Sequence, residues 1–527
     1  MAQAAGVVLS WEICFAVGVH LSDCVEEPTM ETVTDFPLFV VVTHALNMLF
    51  VTLLIRSGIE VLSSMPKLYW SDGCPPGREW LRLSRKNYGA AERRPWVSLD
   101  EEQYWSPVIA LPGRSNLGLG RHWHFLTVQF WIVTGAVYIA MVFATGYWHD
   151  LVPTQWSIVP DAIRDIGTYL HFRLPEQLPG QPFDAAQKLT YFAVVFVLAP
   201  LQIASGAAMS PAVLARFPRY GRLFGGRQGA RSIHFLGLCT FCVFIVVHVF
   251  MVVVHGIPAE FGKIFLGSAD ADPITATVVG TLVLAAVVLI HVLATVWSRI
   301  RPRQTQRLLG TVVHRFEYAL SRLGSSRQHY RRSDISEYHR VNGYPPVDEE
   351  YRRLAADGFR DYRLPVGGLV DHPVTLSLPE LAALGFTHQI TNHNCIQGWN
   401  GIAEWGGVPL GALIERVRPA ASVTHVVFYA MDDKALTEGR GRYGYFYEAV
   451  PMTIARAPQA LLAMEMNGAP LPIEHGAPLR LRLENQLGYK MVKWIEAIEF
   501  VDGIRDIGMG QGGYREDQLY YGNTPGI

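Results

Sequence analysis

The sequence predicts a membrane α-helical bundle of five transmembrane helices followed by a soluble α+β domain. Three observations carry this. Only 17% of the 527 residues are charged and 50% are hydrophobic, whereas a soluble globular chain carries about 25% charged residues. Five apolar runs, 37–55, 122–148, 186–209, 232–256 and 274–297, match the length that crosses a bilayer, about 20 residues. No such run recurs after residue 300, and from residue 358 the pattern becomes mixed and short-period. There DYRLPVGGLV, HVVFYAM, LRLRLEN and WIEAIEFV read as strands between Gly/Pro turns, and PELAALG and GALIERV read as short helices.

The chain accordingly divides into an N-terminal arm (1–35), a membrane domain (36–300), a basic linker (301–339) and a soluble domain (340–527). Residues 5–19 lack the basic n-region of a signal peptide and contain Glu12, so they read as a membrane-associated arm. The balance of 45 basic and 46 acidic residues points to no nucleic-acid partner; the expected surroundings are membrane lipid. Six scattered cysteines imply no disulfide framework. Lys and Arg are distributed unevenly among the loops. Segments 56–121, 210–231 and 298–332 hold 24 of them, and the alternate segments 1–35, 149–187 and 257–273 hold 3. The positive-inside rule then places the soluble domain in the cytoplasm; the expected location is a bacterial inner membrane.

Histidines inside the apolar runs are the most informative residues. An ionisable side chain in lipid is costly and is expected to face the bundle with a partner. His234 and His248 are 14 residues apart on one run. On a helix that is 40° short of whole turns and about 21 Å of rise, a spacing that suits two haems at two depths. Each depth offers an opposing histidine. His124 lies three residues after Arg121, as His234 lies three after Arg231, and His44 lies seven after Pro37, in the half of the membrane where His248 falls. The expected ligand pairs are His124 with His234 and His44 with His248, each holding one haem b. His122 and His124 are about 200° apart on a helix, so one of them faces the bundle; His124 is preferred and His122 is the alternate. His255 and His291 are left for quinone contact, propionate contact or polar packing. Cys239 and Cys242 read as small-residue helix packing.

The segments THALNMLFVTLLIRSGIEVL (43–62), GRHWHFLTVQFWIVTGAVY (120–138) and RSIHFLGLCTFCVFIVVHVF (231–250) resemble the di-haem cytochrome b subunits of respiratory formate dehydrogenases and hydrogenases. The resemblance spans about residues 36–260. It implies one haem-ligating histidine from each of the first two helices and two from the fourth. That family usually shows His-Trp in the first helix, where this chain has His44–Ala45, and the loop charges imply an inverted orientation.

In the soluble half, THQITNHNCIQGWNGIAEWGGVPLGALI (387–414) resembles the molybdenum-cofactor domain of the sulfite oxidase family, in the branch of the methionine sulfoxide reductase catalytic subunit. GFRDYRLPVGGLVDHP (358–373) and the stretch from Tyr447 to Val501 match further motifs in order. The resemblance implies a sulfite-oxidase-type molybdopterin domain over 340–527, with Cys395 as the molybdenum ligand. It implies that His475 and Arg480 contact the pterin and its phosphate. Gly488, Tyr489 and Lys490 form the phosphate-binding turn, and Lys493 is the second lysine of that element. A dianionic phosphate favours such a turn with free N–H groups and cations. His393, two residues before the cysteine, is a further candidate for cofactor contact. Close relatives often carry Asp before the cysteine and Glu two residues after it; here those positions are Asn394 and Gln397.

Together these features lead to the expectation of a membrane-bound molybdopterin oxidoreductase. Electrons would pass between molybdenum and a quinone or redox partner subunit through two b haems, with a small oxo compound as substrate. The alternative is an accessory subunit of a larger respiratory complex whose molybdopterin-type domain is a docking module.

Overall fold

The computed structural model describes residues 35–86, 97–171, 173–179, 181–321, 329–431, 446–518 and 526–527. The N-terminal arm, apart from Asp35, lies outside the described residues. Among the described residues, five helices are long and apolar enough to cross a membrane: α1 (Leu38–Ser63), α2 (Leu117–Ala144), α3 (Ala185–Met209), α4 (Gly226–His255) and α5 (Pro273–Ile300). α1 runs well past the end of the first apolar run. Its polar last turns are helical because their side chains find partners. Arg56 donates to Thr295 Oγ1 (2.9 Å), and the buried Glu60 accepts from the N–H groups of Gly113 and Asn116.

Contacts group the chain into two compact units. Of the described residues, the first holds 35–44, Val137–Val197 and His248–Leu282. In it Asp184 caps α3 by accepting from Gln187 N at 2.8 Å, and Asp165 accepts from the N–H groups of Ala185 and Ala186. The helix Ile158–Leu170 lays Ile158 and Ala162 on Ala185 and Ala186.

The second unit holds Ala45–Ala136, Leu198–Val247 and Val283–Ile527. α6 (Pro302–Ser321) follows α5 almost at once, so much of the basic linker is helical. Its Arg303 donates to Gln511 Oε1 (2.8 Å) and Asp517 O (2.9 Å). The α1–α2 connection forms a hairpin of β1 (Lys67–Leu68) and β2 (Leu81–Arg82). Lys67 meets the buried Glu101 at 3.1 Å, and Arg340 pairs with the same carboxylate. Removing one partner from such a buried network costs about 3–5 kcal/mol, so this loop is bound firmly to the 331–344 segment.

The soluble domain consists of two sheets and short helices. One sheet has the order β4 (Val374–Leu376), β3 (Leu364–Gly368), β12 (Ile495–Val501), β7 (His425–Ala430), β8 (Tyr447–Pro451). β12 pairs parallel with β3 and antiparallel with β7. The other runs β10 (Ala469–Pro470), β9 (Leu461–Met466), β6 (Asn400–Pro409), β5 (Thr387–Asn394), with β11 (Arg480–Arg482) also on β9. Leu364, Val426, Phe428, Leu462, Leu481 and Phe500 are fully buried between these elements. The strands and helices read from the sequence are present. β4, β5, β6, β8, β9 and β10 are additional. β5 (THQITNHN) is polar almost throughout, so it shows no apolar alternation; its eight-residue ladder with β6 holds it in the sheet.

Candidate functional site

Two histidine pairs are assembled by the helices. The rings of His44 (α1) and His248 (α4) have centroids 6.2 Å apart, and those of His124 (α2) and His234 (α4) are 6.4 Å apart. A metal between two imidazoles needs about 2 Å of bond on each side; adding the half-width of each ring brings the centroids to about 6 Å apart. Both pairs therefore fit a six-coordinate haem iron. At the second pair the outer ring nitrogens are occupied. Ser57 Oγ lies 3.1 Å from His124 Nδ1, and Ser205 Oγ lies 3.0 Å from His234 Nδ1. Fixing Nδ1 leaves Nε2 for a metal and sets the ring orientation. Small residues adjoin both rings: a Cβ on Gly206 would stand 3.4 Å from His234 Cε1, and one on Gly58 would stand 3.7 Å from His124 Cε1.

The alternates go elsewhere. His122 bonds Gly118 O through Nδ1 (2.7 Å) and faces His314 of α6, centroids 6.0 Å apart. His255 bonds Met251 O and sits beside Tyr169. His291 is held between Thr52 Oγ1 and Arg56 Nη1, both at 2.8 Å. Cys239 and Cys242 are free thiols, Cys239 exposed on the helix surface.

Cys395 lies in the connection from β5 to β6, closed by Cys395 N–H donating to Trp399 O at 3.0 Å. It is 1% exposed. Burial pushes its thiol up to about 11, so a metal that binds it must displace a proton. Asn342 Nδ2 and Gln397 Oε1 each lie 3.7 Å from Sγ. Beside the cysteine the buried residues are strongly basic. Arg482 Nη1 lies 2.7 Å from His393 Nδ1, Arg480 and Arg482 stack on the Trp405 ring, and His339 touches His393, Trp399, Trp405 and His475. Lys493 donates to Glu474 O (2.9 Å) and to Asn342 O. Arg480 and Lys493 make no ion pair among the described residues.

The electrostatics follow from this crowding. Burial, then the neighbouring Arg480, brings His475 down to about 3. Burial and Arg482 push Arg480 well below the usual guanidinium value, and burial and Arg480 do the same to Lys493. Among the described residues, Arg480 Nε, Arg482 Nε, His339 Nε2 and Trp405 Nε1 are buried without a partner. Uncompensated buried cations and orphaned N–H donors fit an anionic, hydrogen-bonding ligand such as the phosphate-bearing pterin. Gly488 opens a tight turn against this cluster; a Cβ there would come within 2.4 Å of His393. Tyr489 packs with Cys395, Ile396 and Trp399. Lys490 differs from Lys493. Burial opposes its charge, but Glu448 (2.7 Å) and Glu516 outweigh this and raise its pKa. Its ammonium also donates to Gly512 O, so the glycine-rich run 508–513 closes over it.

Sequence reading did not find His339, Arg482 or Trp405, nor the contribution of the membrane half. Gln397 Nε2 donates to Glu102 Oε1 (2.9 Å) and Ser98 O, and its Oε1 accepts from Ser98 Oγ (2.6 Å) and Trp399 Nε1 (3.1 Å). The amide therefore fits between a carboxylate and two donors, where a glutamate would oppose Glu102. Gln397→Glu is expected to destabilise the protein by about 1–3 kcal/mol at neutral pH. The cost should fade in acid, where a protonated carboxyl can donate as the amide does, and should grow as pH rises through the carboxylate range. Thermal unfolding of Gln397→Glu, with Glu102→Gln as the rescuing second change, checks this.

Residues 352–506 match the oxidoreductase molybdopterin binding domain family, and residues 35–263 match the prokaryotic cytochrome b561 family. The putative protein-methionine-sulfoxide reductase subunit YedZ1 of Azospira oryzae is 34% identical over 33% of this chain and 58% of its own length. The protein-methionine-sulfoxide reductase catalytic subunit MsrP of Xanthomonas axonopodis pv. citri is 35% identical over 26% of this chain and 44% of its own. The chain thus spans about half the length of these curated relatives. The sulfane dehydrogenase SoxCD of Paracoccus pantotrophus aligns at 24% identity over 27% of this chain and 39% of its own, with a TM-score of 0.24, too limited a superposition to bear on the fold. The chain joins a membrane domain matched by the prokaryotic cytochrome b561 family to an oxidoreductase molybdopterin binding domain.

Proposed function

We propose that this protein is a membrane-bound molybdenum-cofactor oxidoreductase that exchanges electrons with a quinone through two b-type haems. The observation that carries the reading is the pairing of a buried thiol and cationic cluster with two imidazole pairs spaced for bis-histidine iron. Bound at Cys395, the molybdopterin group supplies two-electron oxygen-atom chemistry. The chain's own residues do the rest. Cys395 ligates as thiolate. His475, Arg480, Arg482 and Lys493 hold the pterin and its phosphate, and the Gly488 turn brings backbone N–H groups close. Gln397 and Trp399 stiffen the cysteine loop. Ser57 and Ser205 hold the ring orientation of His124 and His234. The substrate class is a small oxo compound, with sulfoxides first, since the relatives include sulfoxide reductase subunits. The proposed location is a bacterial inner membrane, and the loop charges favour a cytoplasmic soluble domain.

Elemental and haem analysis of the purified protein tests this. One molybdenum and two b haems per chain are expected, with a C-terminal fluorescent reporter lit in the cytoplasm. Haem without molybdenum would instead make the chain an accessory electron-transfer subunit.

A further inference from the structure

The cysteine loop is anchored on the helix that carries His234. Gln228, fully buried in the first turn of α4, donates from Nε2 to Gly398 O (2.8 Å) and to Asn400 Oδ1 (3.1 Å). Its Oε1 is buried without a partner, so the two acceptors alone set the amide's orientation. Arg227, next to it, reaches Trp399 O at 3.3 Å. Asp72 accepts from Gln228 N at 3.0 Å and fixes the helix start. His234 follows six residues later, about 9 Å along the helix. Gly398 has φ 114°, so the backbone that presents this carbonyl suits glycine alone.

We propose that Gln228 is the positioning residue that holds the Cys395 loop against α4 for single-electron exchange with the site at His124 and His234. This rests on reading the two sites as molybdenum and haem centres. In the reducing direction a quinol gives two electrons and two protons and becomes a quinone. An S-oxide takes two electrons and two protons and becomes a sulfide and water. The electrons must cross the Cys395–His234 gap one at a time, and the bonds from Gln228 tie the loop directly to the helix that carries His234.

The test uses Gln228→Leu in substrate-free holoenzyme. After flash photoreduction of the haems, the rise of the molybdenum(V) EPR signal is timed by freeze-quench. With haem spectrum and molybdenum content unchanged, the rise should slow several-fold, because electron exchange falls off steeply with the distance between the centres. An unchanged rate overturns the proposal. A wild-type protein that gives no molybdenum(V) signal after haem reduction would sink the relay itself, a distinguishable result. A second measurement needs no molybdenum. In molybdenum-free full-length protein, iodoacetamide should label Cys395 faster in Gln228→Leu than in wild type. Equal labelling would show that Gln228 does not hold the loop.

Discussion

Cys395→Ser is expected to abolish oxidoreductase turnover and to alter the molybdenum EPR signal, while the pterin stays bound. The thiolate is a soft donor that a serine alkoxide cannot match, and the site keeps its shape, since the loop is closed by backbone bonds and by Gln228 rather than by the sulfur. The pterin's phosphate is expected at Arg480, Arg482 and Lys493, away from the metal. Arg480→Ala separates the two roles. It removes a buried cation whose charge no described carboxylate offsets, so its main loss is ligand affinity, and the purified protein should come out poor in pterin and molybdenum together. Pterin content by fluorescence after oxidation, beside molybdenum by mass spectrometry, checks both variants. An unchanged EPR signal in molybdenum-loaded Cys395→Ser would mean the cysteine is only a packed core residue.

The site was legible in the sequence where chemistry is local. Cys395, Gly488 and Lys493 sit in short motifs, and the 14-residue interval between His234 and His248 is a property of one helix. The five apolar runs predicted the spanning helices for the same reason. What stayed hidden depends on contacts distant in the chain. His339 lies in a stretch with no periodicity, yet it touches four site side chains. Arg482 reads as one more charge in a strand, and only the β11–β9–β6–β5 arrangement brings it to His393. The α1–α2 connection looked like a charged loop, whereas its Ser98 and Glu102 bond Gln397 almost three hundred residues away. Asn394 and Gln397 read as missing charges in the sequence; the structure accounts for Gln397, whose amide donates to Glu102. Pattern reading works along one element; a buried polar network needs tertiary structure to be counted.

Haem content should fall from two per chain to one in His248→Ala or His44→Ala, and again, at the other site, in His124→Ala or His234→Ala. Each pair faces its partner at a separation set for one iron, and a single imidazole left in an apolar bundle gives a weakly held or five-coordinate haem. The four variants should therefore fall into two spectral classes, read by pyridine haemochrome assay and by low-temperature redox difference spectra. The sharpest comparison lies within α2. His122 is buried and His124, two residues on, is half-buried, but only His124 meets His234, while His122 meets His314. His122→Ala should keep both haems and both six-coordinate spectra; His124→Ala should lose one. Loss of haem in His122→Ala with retention in His124→Ala would reverse the register of α2, and the seryl bond from Ser57 to His124 would then be ordinary polar packing rather than the support of a ligand.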